Sequence, residues 1–141
     1  MAKQVLTNVA VTFGTAATDI TSYVASVTLN LSKAEVTTTN FGSGGAVTRI
    51  AGLADNSITL ELHQDYPTIE KLFYDAWNAG TAVPVTVKPN GTASASSTNP
   101  QYAFNVLPLT WTPVAGAVGD LATASVTYAI DGAVTKTGTG A

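Results

Sequence analysis

Cysteine is absent from all 141 residues, and with it go disulfides, thiolate zinc sites, iron–sulfur clusters and cysteine nucleophiles. The redox state of the compartment therefore has no hold on the chain. Charge is scarce as well: Asp, Glu, Lys and Arg make up 11% of the residues, against about 25% in a typical soluble domain. Six basic against nine acidic residues leave a formal net charge of −3. Tight general binding to nucleic acid is disfavoured, because that affinity comes mainly from clustered Lys and Arg meeting phosphate. No apolar run approaches the roughly 18 residues that would span a bilayer, so no membrane segment is expected. Thr7, Asn8 and Thr12 interrupt any secretory pattern at the start, which points to synthesis and folding in the cytosol.

What is present is 45% hydrophobic residues, enough for a core, in a length that suits a single domain over 1–141. A surface so poor in charge consists of Thr, Ser, Ala, Asn and Gly, and is weakly defended against association with copies of itself. Much of it is expected to be covered.

Period-2 alternation dominates. In Tyr23 to Ser32, residues Tyr23, Ala25, Val27, Leu29 and Leu31 share one face and Ser26, Thr28, Asn30 and Ser32 the other, which predicts a half-buried strand. Ser57 to His63 points Ile58, Leu60 and Leu62 inward, and Ala122 to Ile130 does the same with Ala124, Val126, Tyr128 and Ile130. Shorter strands are predicted at Val9–Phe13, Val83–Val87 and Tyr102–Val106, with Pro84 confining its strand to an edge or to a strand start. The tetrad Ala25-Ser26-Val27-Thr28 recurs as Ala124-Ser125-Val126-Thr127, as related sheet halves or as a coincidence of an Ala/Val/Thr-rich composition.

One segment has helical period. Ile69, Leu72, Phe73, Ala76 and Trp77 form a single core-facing stripe, opened by Asp65 and Pro67 and closed by Gly80, which predicts a helix over about 67–79. Asn40-Phe41-Gly42-Ser43-Gly44-Gly45 has three glycines in six residues and is expected to be too flexible to hold one shape without a neighbour. Lys88 to Pro100 reads as a second long polar loop, and Val134 to Ala141 as a frayed tail.

No catalytic constellation rises above background. Glu61, His63 and Asp65 alternate onto one face if their strand extends that far, a spacing that could surround a metal, but a polar strand face with a solvated histidine accounts for it more simply. No Gly-x-Ser-x-Gly elbow accompanies the lone histidine, and Gly42-Ser43-Gly44-Gly45 lacks the lysine and following helix of a phosphate loop. The expectation is a non-enzyme without metal or cofactor; an esterase built on a serine and His63 is the weakest alternative.

An ordered run of phrases carries a resemblance: Asp19-Ile20-Thr21-Ser22-Tyr23-Val24-Ala25-Ser26-Val27-Thr28, then Ala34 to Gly42, then Thr48-Arg49-Ile50-Ala51-Gly52-Leu53-Ala54-Asp55-Asn56-Ser57-Ile58-Thr59-Leu60. The helix, Asn99-Pro100-Gln101-Tyr102, Gly116 to Asp120 and an Asp131-Gly132 turn follow. Over about residues 19–132 the chain resembles the major tail tube proteins of long-tailed, non-contractile bacteriophages. The resemblance implies a mainly β fold, a β-sandwich or partial barrel with one helix on its outside, assembled as hexameric rings that stack into a tube. It implies a virion tail assembled in the bacterial cytoplasm, with the tape measure, tail terminator and tail-tip proteins as partners and phage DNA passing through the lumen. In similar proteins the loop between the first long strands reaches the adjoining ring, which assigns Asn40, Phe41, Gly42, Ser43, Gly44, Gly45 and Arg49 to ring stacking. Glu35, Asp55 and Glu61 are the candidate acids of a lumen that repels phosphate. Two rival classes share the Thr-rich strands and low charge: an immunoglobulin-like capsid-decorating or adhesion module, and the tube protein of a contractile tail or secretion system.

Overall fold

The computed structural model describes residues 5–138. Within them are nine strands, β1 (Ala10–Phe13), β2 (Thr18–Asp19), β3 (Val24–Asn30), β4 (Lys33–Thr37), β5 (Arg49–Ala54), β6 (Ser57–His63), β7 (Val83–Lys88), β8 (Gln101–Leu107) and β9 (Thr123–Thr137), and one α-helix, α1 (Lys71–Ala79). Seven of them form an antiparallel sheet in the order β2-β1-β7-β8-β9-β6-β3, curled into a half-barrel; β4 and β5 pair only with each other. This is the mainly β, partial-barrel class that the sequence predicts, with its helix packed on it.

Alternation builds the core. Val11 and Phe13 of β1, Ile58, Leu60 and Leu62 of β6, and Ala124, Val126 and Tyr128 of β9 are buried on one face of the curled sheet. The helical segment closes it with Ile69, in the turn just before α1, and Phe73 of α1. Phe13, Phe73 and Trp111 stack in sequence, with ring centroids 4.2 and 5.0 Å apart, so one aromatic column ties β1, the helix and the 108–122 connection together. Burial pushes the Tyr128 hydroxyl pKa upward, and that hydroxyl donates to Thr110 O at 3.1 Å.

Several local expectations are corrected. The helical segment begins with a π-helical turn, Tyr66–Glu70, in which Asp65 O accepts from the N–H groups of Thr68, Ile69 and Glu70; α1 follows and ends on Gly80 in the left-handed conformation at φ 66°. Trp77 sits at the margin of the core and not in it, exposed beside Tyr74. Strand β3 is shorter than the alternation suggests, because Thr21–Tyr23 winds into a 3-10 turn, and a bulge between Val24 and Ser26 turns Ala25 out to solvent. An extra residue breaks the period-2 rule on which the face assignment rested.

At the other end of the sheet, Asp131-Gly132 is no turn. The ladder runs through it as a bulge, with Gly132 at φ 87°, and β9 continues to Thr137, so Thr135 to Thr137 pair with β8 where a frayed tail is expected. Residues 139–141 lie outside the described residues. Pro84 is the second residue of an interior strand, where β1 has already ended and Pro84 O accepts from Gly14 N at 2.9 Å. The 88–100 loop is organised by one buried side chain: Asn99 Oδ1 accepts from Asn90 N at 2.9 Å, and Asn99 Nδ2 donates to Asn90 O at 2.9 Å and Ala93 O at 3.2 Å.

Candidate assembly surfaces

The residues between β3 and β6 form an arm. Strands β4 and β5 leave the sheet as a two-stranded ribbon, with Val36 opposite Ile50 and Thr37 opposite Arg49. Its root is pinned: buried Asn56 accepts from Ser32 N through Oδ1 at 2.9 Å, and its carbonyl accepts from Ile130 N at 2.9 Å. Nearly every ribbon residue is exposed on both faces. An unaccompanied two-stranded ribbon is marginal in water.

The glycine-rich tip is organised by short-range hydrogen bonds. Asn40 caps a 3-10 turn, Phe41–Ser43: Gly42 N donates to Asn40 Oδ1 at 2.8 Å and Asn40 N donates to Ser43 Oγ at 3.0 Å. Gly44 and Gly45 then reverse the chain at φ 67° and 86°, values that side chains resist. Thr38 and Thr48 clasp the neck through their hydroxyls at 2.8 Å. Phe41 stands wholly in solvent at the tip.

Arg49 and Glu35 meet. Arg49 Nε donates to Glu35 Oε1 at 2.8 Å on the polar face of the ribbon, with both side chains more than half exposed. A residue assigned to stacking and one assigned to the lumen thus neutralise each other on the arm, in a pair worth about 0–1 kcal/mol because water screens it. Asp55 sits at the arm's root, its N–H donating to Ser32 O at 2.8 Å.

Glu61 lies elsewhere, on the face of the sheet opposite the core, flanked in register by Ser26 of β3 and Ser125 of β9. The next row of that face is Thr28, Thr59 and Thr127, with the Thr59 and Thr127 hydroxyls 3.2 Å apart. The Ser-Val-Thr parts of the recurring tetrads therefore occupy matching positions on either side of β6, while the bulge displaces Ala25, and their Ser and Thr side chains make a hydroxyl-lined surface around Glu61. His63 shares this face at the strand end, whereas Asp65 has passed into the helix start. Among the described residues no three His, Asp or Glu side chains converge as a metal site, and no helix is long and apolar enough to cross a membrane.

The sequence reading missed a third surface. Residues 108–122 carry Leu109, Val114, Val118 and Leu121 into solvent, although the period-2 and 3.6 rules have nothing to say about an irregular segment. Its density of apolar residues without period was the available signal.

No family model matches the chain, and no curated protein matches it in sequence. Solved structures do. A chain in the virion of a native gene transfer agent (GTA) particle superposes with a TM-score of 0.78 at 13% identity, over 96% of this chain and 99% of its own length. The likeness is one of fold. It extends to a chain in the tail of an empty GTA particle with C6 symmetry, at a TM-score of 0.68 and 15% identity over 90% of this chain and 95% of that one. A chain in the sheath/tube terminator of the extracellular contractile injection system PVC gives 0.70 at 18% identity, over 96% and 97%.

Proposed function

We propose that the chain is a tail tube subunit: a structural, non-catalytic virion protein, one domain per copy, that forms hexameric rings stacked into a hollow conduit through which DNA leaves the particle. The observation that carries this reading is the end-to-end fold likeness to a chain from a sixfold-symmetric GTA tail. Three features of this chain support it. The surface is poor in charge, the arm is exposed on both faces, and the outer face of β3, β6 and β9 carries rows of Ser and Thr hydroxyls around Glu61.

In the ring, sheets of adjacent copies continue one another and remove free strand edges, with the Ser/Thr face lining the lumen. Glu61 gives that wall a negative charge from each copy, while Glu35 contributes little because Arg49 neutralises it. Phosphate is repelled by Glu61 and meets few cations, so DNA slides. The arm, from Asn40 to Arg49, reaches the adjoining ring. The tape measure, terminator and tail-tip proteins set the length and ends of the tube, which is built in the host cytoplasm and resides in the virion tail.

A second reading, the tube of a contractile tail or injection system, draws on the likeness to the PVC chain and differs in requiring a sheath around the tube. For either, negative-stain electron microscopy of the concentrated, purified protein is expected to show hollow rings or tubes. Particles that stay small even with a purified tail-tip complex added would overturn both. Phe41→Ala is expected to leave the subunit folded and shorten the tubes; unchanged tube lengths would remove the arm from stacking.

A further inference from the structure

Just after β7 the chain turns back at Asn90-Gly91, in a β-turn where Ala93 N donates to Asn90 O at 3.4 Å. Asn90 Oδ1 accepts from Thr92 N at 3.1 Å and from the Thr92 hydroxyl at 2.8 Å, so the side-chain amide folds back over the Gly91 peptide. An asparagine so placed stands beside a nucleophile. The nitrogen of the next residue can attack Cγ, and glycine, with no Cβ, offers the least resistance to the approach. Here that nitrogen is occupied: Gly91 N donates to Asn8 O at 2.8 Å. Glycine is also the residue that the packing demands, because a Cβ at 91 would stand 2.9 Å from Ala10 Cβ and 3.2 Å from Asn8 O. Asn8 belongs to a strap, residues 5–9, that precedes β1 and is lightly held. Val5 and Leu6 are 82% and 61% exposed, and a cleft of about 360 Å³ lies between the strap and the start of β3, lined by Leu6, Thr7, Thr21, Val24 and Val27.

We propose that Asn90 is a self-deamidation site gated by the Asn8 carbonyl, closed while the strap lies on the 90–93 turn and open when the strap lifts. The site is independent of the tube-subunit reading. In the closed state the Gly91 proton is held at Asn8 O and the peptide plane is fixed beside the strap, so the nitrogen can neither lose its proton to base nor turn its face to Cγ. In the open state it does both. The two Thr92 donors draw charge from Cγ and favour the oxyanion that forms there. The bond between Gly91 N and Asn90 Cγ forms, the Cγ–Nδ2 bond breaks, and ammonia leaves with the Gly91 proton, which gives a five-membered succinimide. Water then opens the ring. Attack at Cγ yields aspartate, and attack at the main-chain carbonyl yields isoaspartate, whose main chain runs through Cβ and Cγ. Either product adds a negative charge to a chain whose formal charge is −3. Isoaspartate also puts an extra carbon between the Asn90 N and carbonyl groups, which Asn99 grips at 2.9 Å each, and so releases the side chain that organises the 88–100 loop.

The test holds the full-length protein in mildly alkaline buffer, folded or unfolded in urea, and follows Asn90 by peptide mass mapping and by isoaspartyl methyltransferase labelling. Conversion is expected to be about tenfold slower in the folded chain, and hydrogen exchange of the Gly91 amide reports the gate. Ala10→Val adds bulk where Gly91 packs, and is expected to speed both Gly91 exchange and Asn90 conversion about fivefold at a melting temperature near that of wild type. Should that variant unfold or keep its bond, urea below the unfolding transition opens the strap of the wild type and serves the same comparison. Equal conversion in folded and unfolded chains overturns the gate, as does conversion that stays constant while Gly91 exchange accelerates. Conversion that follows the amides of β6 and β9 and not that of Gly91 overturns it too, because the whole sheet would then have to open. Persistence of Asn90 in the unfolded chain overturns the site itself.

Discussion

Phe73 shows how much rests on single side chains. Fully buried, it is stacked between Phe13 and Trp111 and reaches Tyr128. Phe73→Ala removes the centre of the column and is expected to cost about 3–5 kcal/mol in urea unfolding, since the rings on either side cannot close the gap. A loss under about 1 kcal/mol would mean that the helix contributes little to the core. Asp19 acts through charge. The Thr21 hydroxyl, and then the Thr21 N–H at 2.9 Å, hold its carboxyl below the ordinary value of 3.8. The folded state therefore favours the ionised form, and that stabilisation is present above 3.8 and lost as pH falls through the lower folded value. Asp19→Asn is expected to be less stable than wild type at pH 6 and to converge with it in strong acid; a difference that persists at the lowest pH would point to lost contacts and not to charge.

Among the elements, the arm is the least supported by its own chain. At Gly52 a side chain would be crowded: a Cβ there would stand 3.0 Å from Val36 Cγ2 and 3.2 Å from both Ala34 Cβ and Ala34 O. Gly52→Val is expected to pry β4 from β5, so that amides of residues 33–54 exchange faster with solvent while those of β6 and β9 keep wild-type protection. Uniform loss of protection would show that the arm and the sheet unfold as one unit. Nothing comparable threatens the 114–121 loop, because Gln64 fastens both stems.

For the whole molecule, the property to test is the hydroxyl-lined sheet face around Glu61. Thr28 and Thr127 flank Thr59 in one row of that face and point away from the core. Thr28→Lys combined with Thr127→Lys adds two positive charges per copy without disturbing packing. Assembled double variant is expected to retain double-stranded DNA in cosedimentation at low salt and to release it as salt rises, while assembled wild type retains none. Indifference of the variant to DNA would place this face away from the DNA path.

By itself the sequence determined what local periodicity encodes. Strict alternation in Ser57–His63 and Ala124–Ile130 named the buried residues of β6 and β9, and the stripe from Ile69 with its Gly80 stop named the helix, because each depends on side chains only two to four positions apart. Tertiary structure decided the rest. The bulge at Ala25, the run of β9 through Gly132 and the separation of β4–β5 from the main sheet are choices of strand partner, made between residues distant in sequence. The same holds for the assembly surfaces: Arg49 finds Glu35 only when the arm folds back, Ser26 and Ser125 flank Glu61 only when two strands pair with β6, and the exposed loop exists only because Gln64 gathers its ends. Pairing across the chain is paid for by the whole core and is written in no short window of residues.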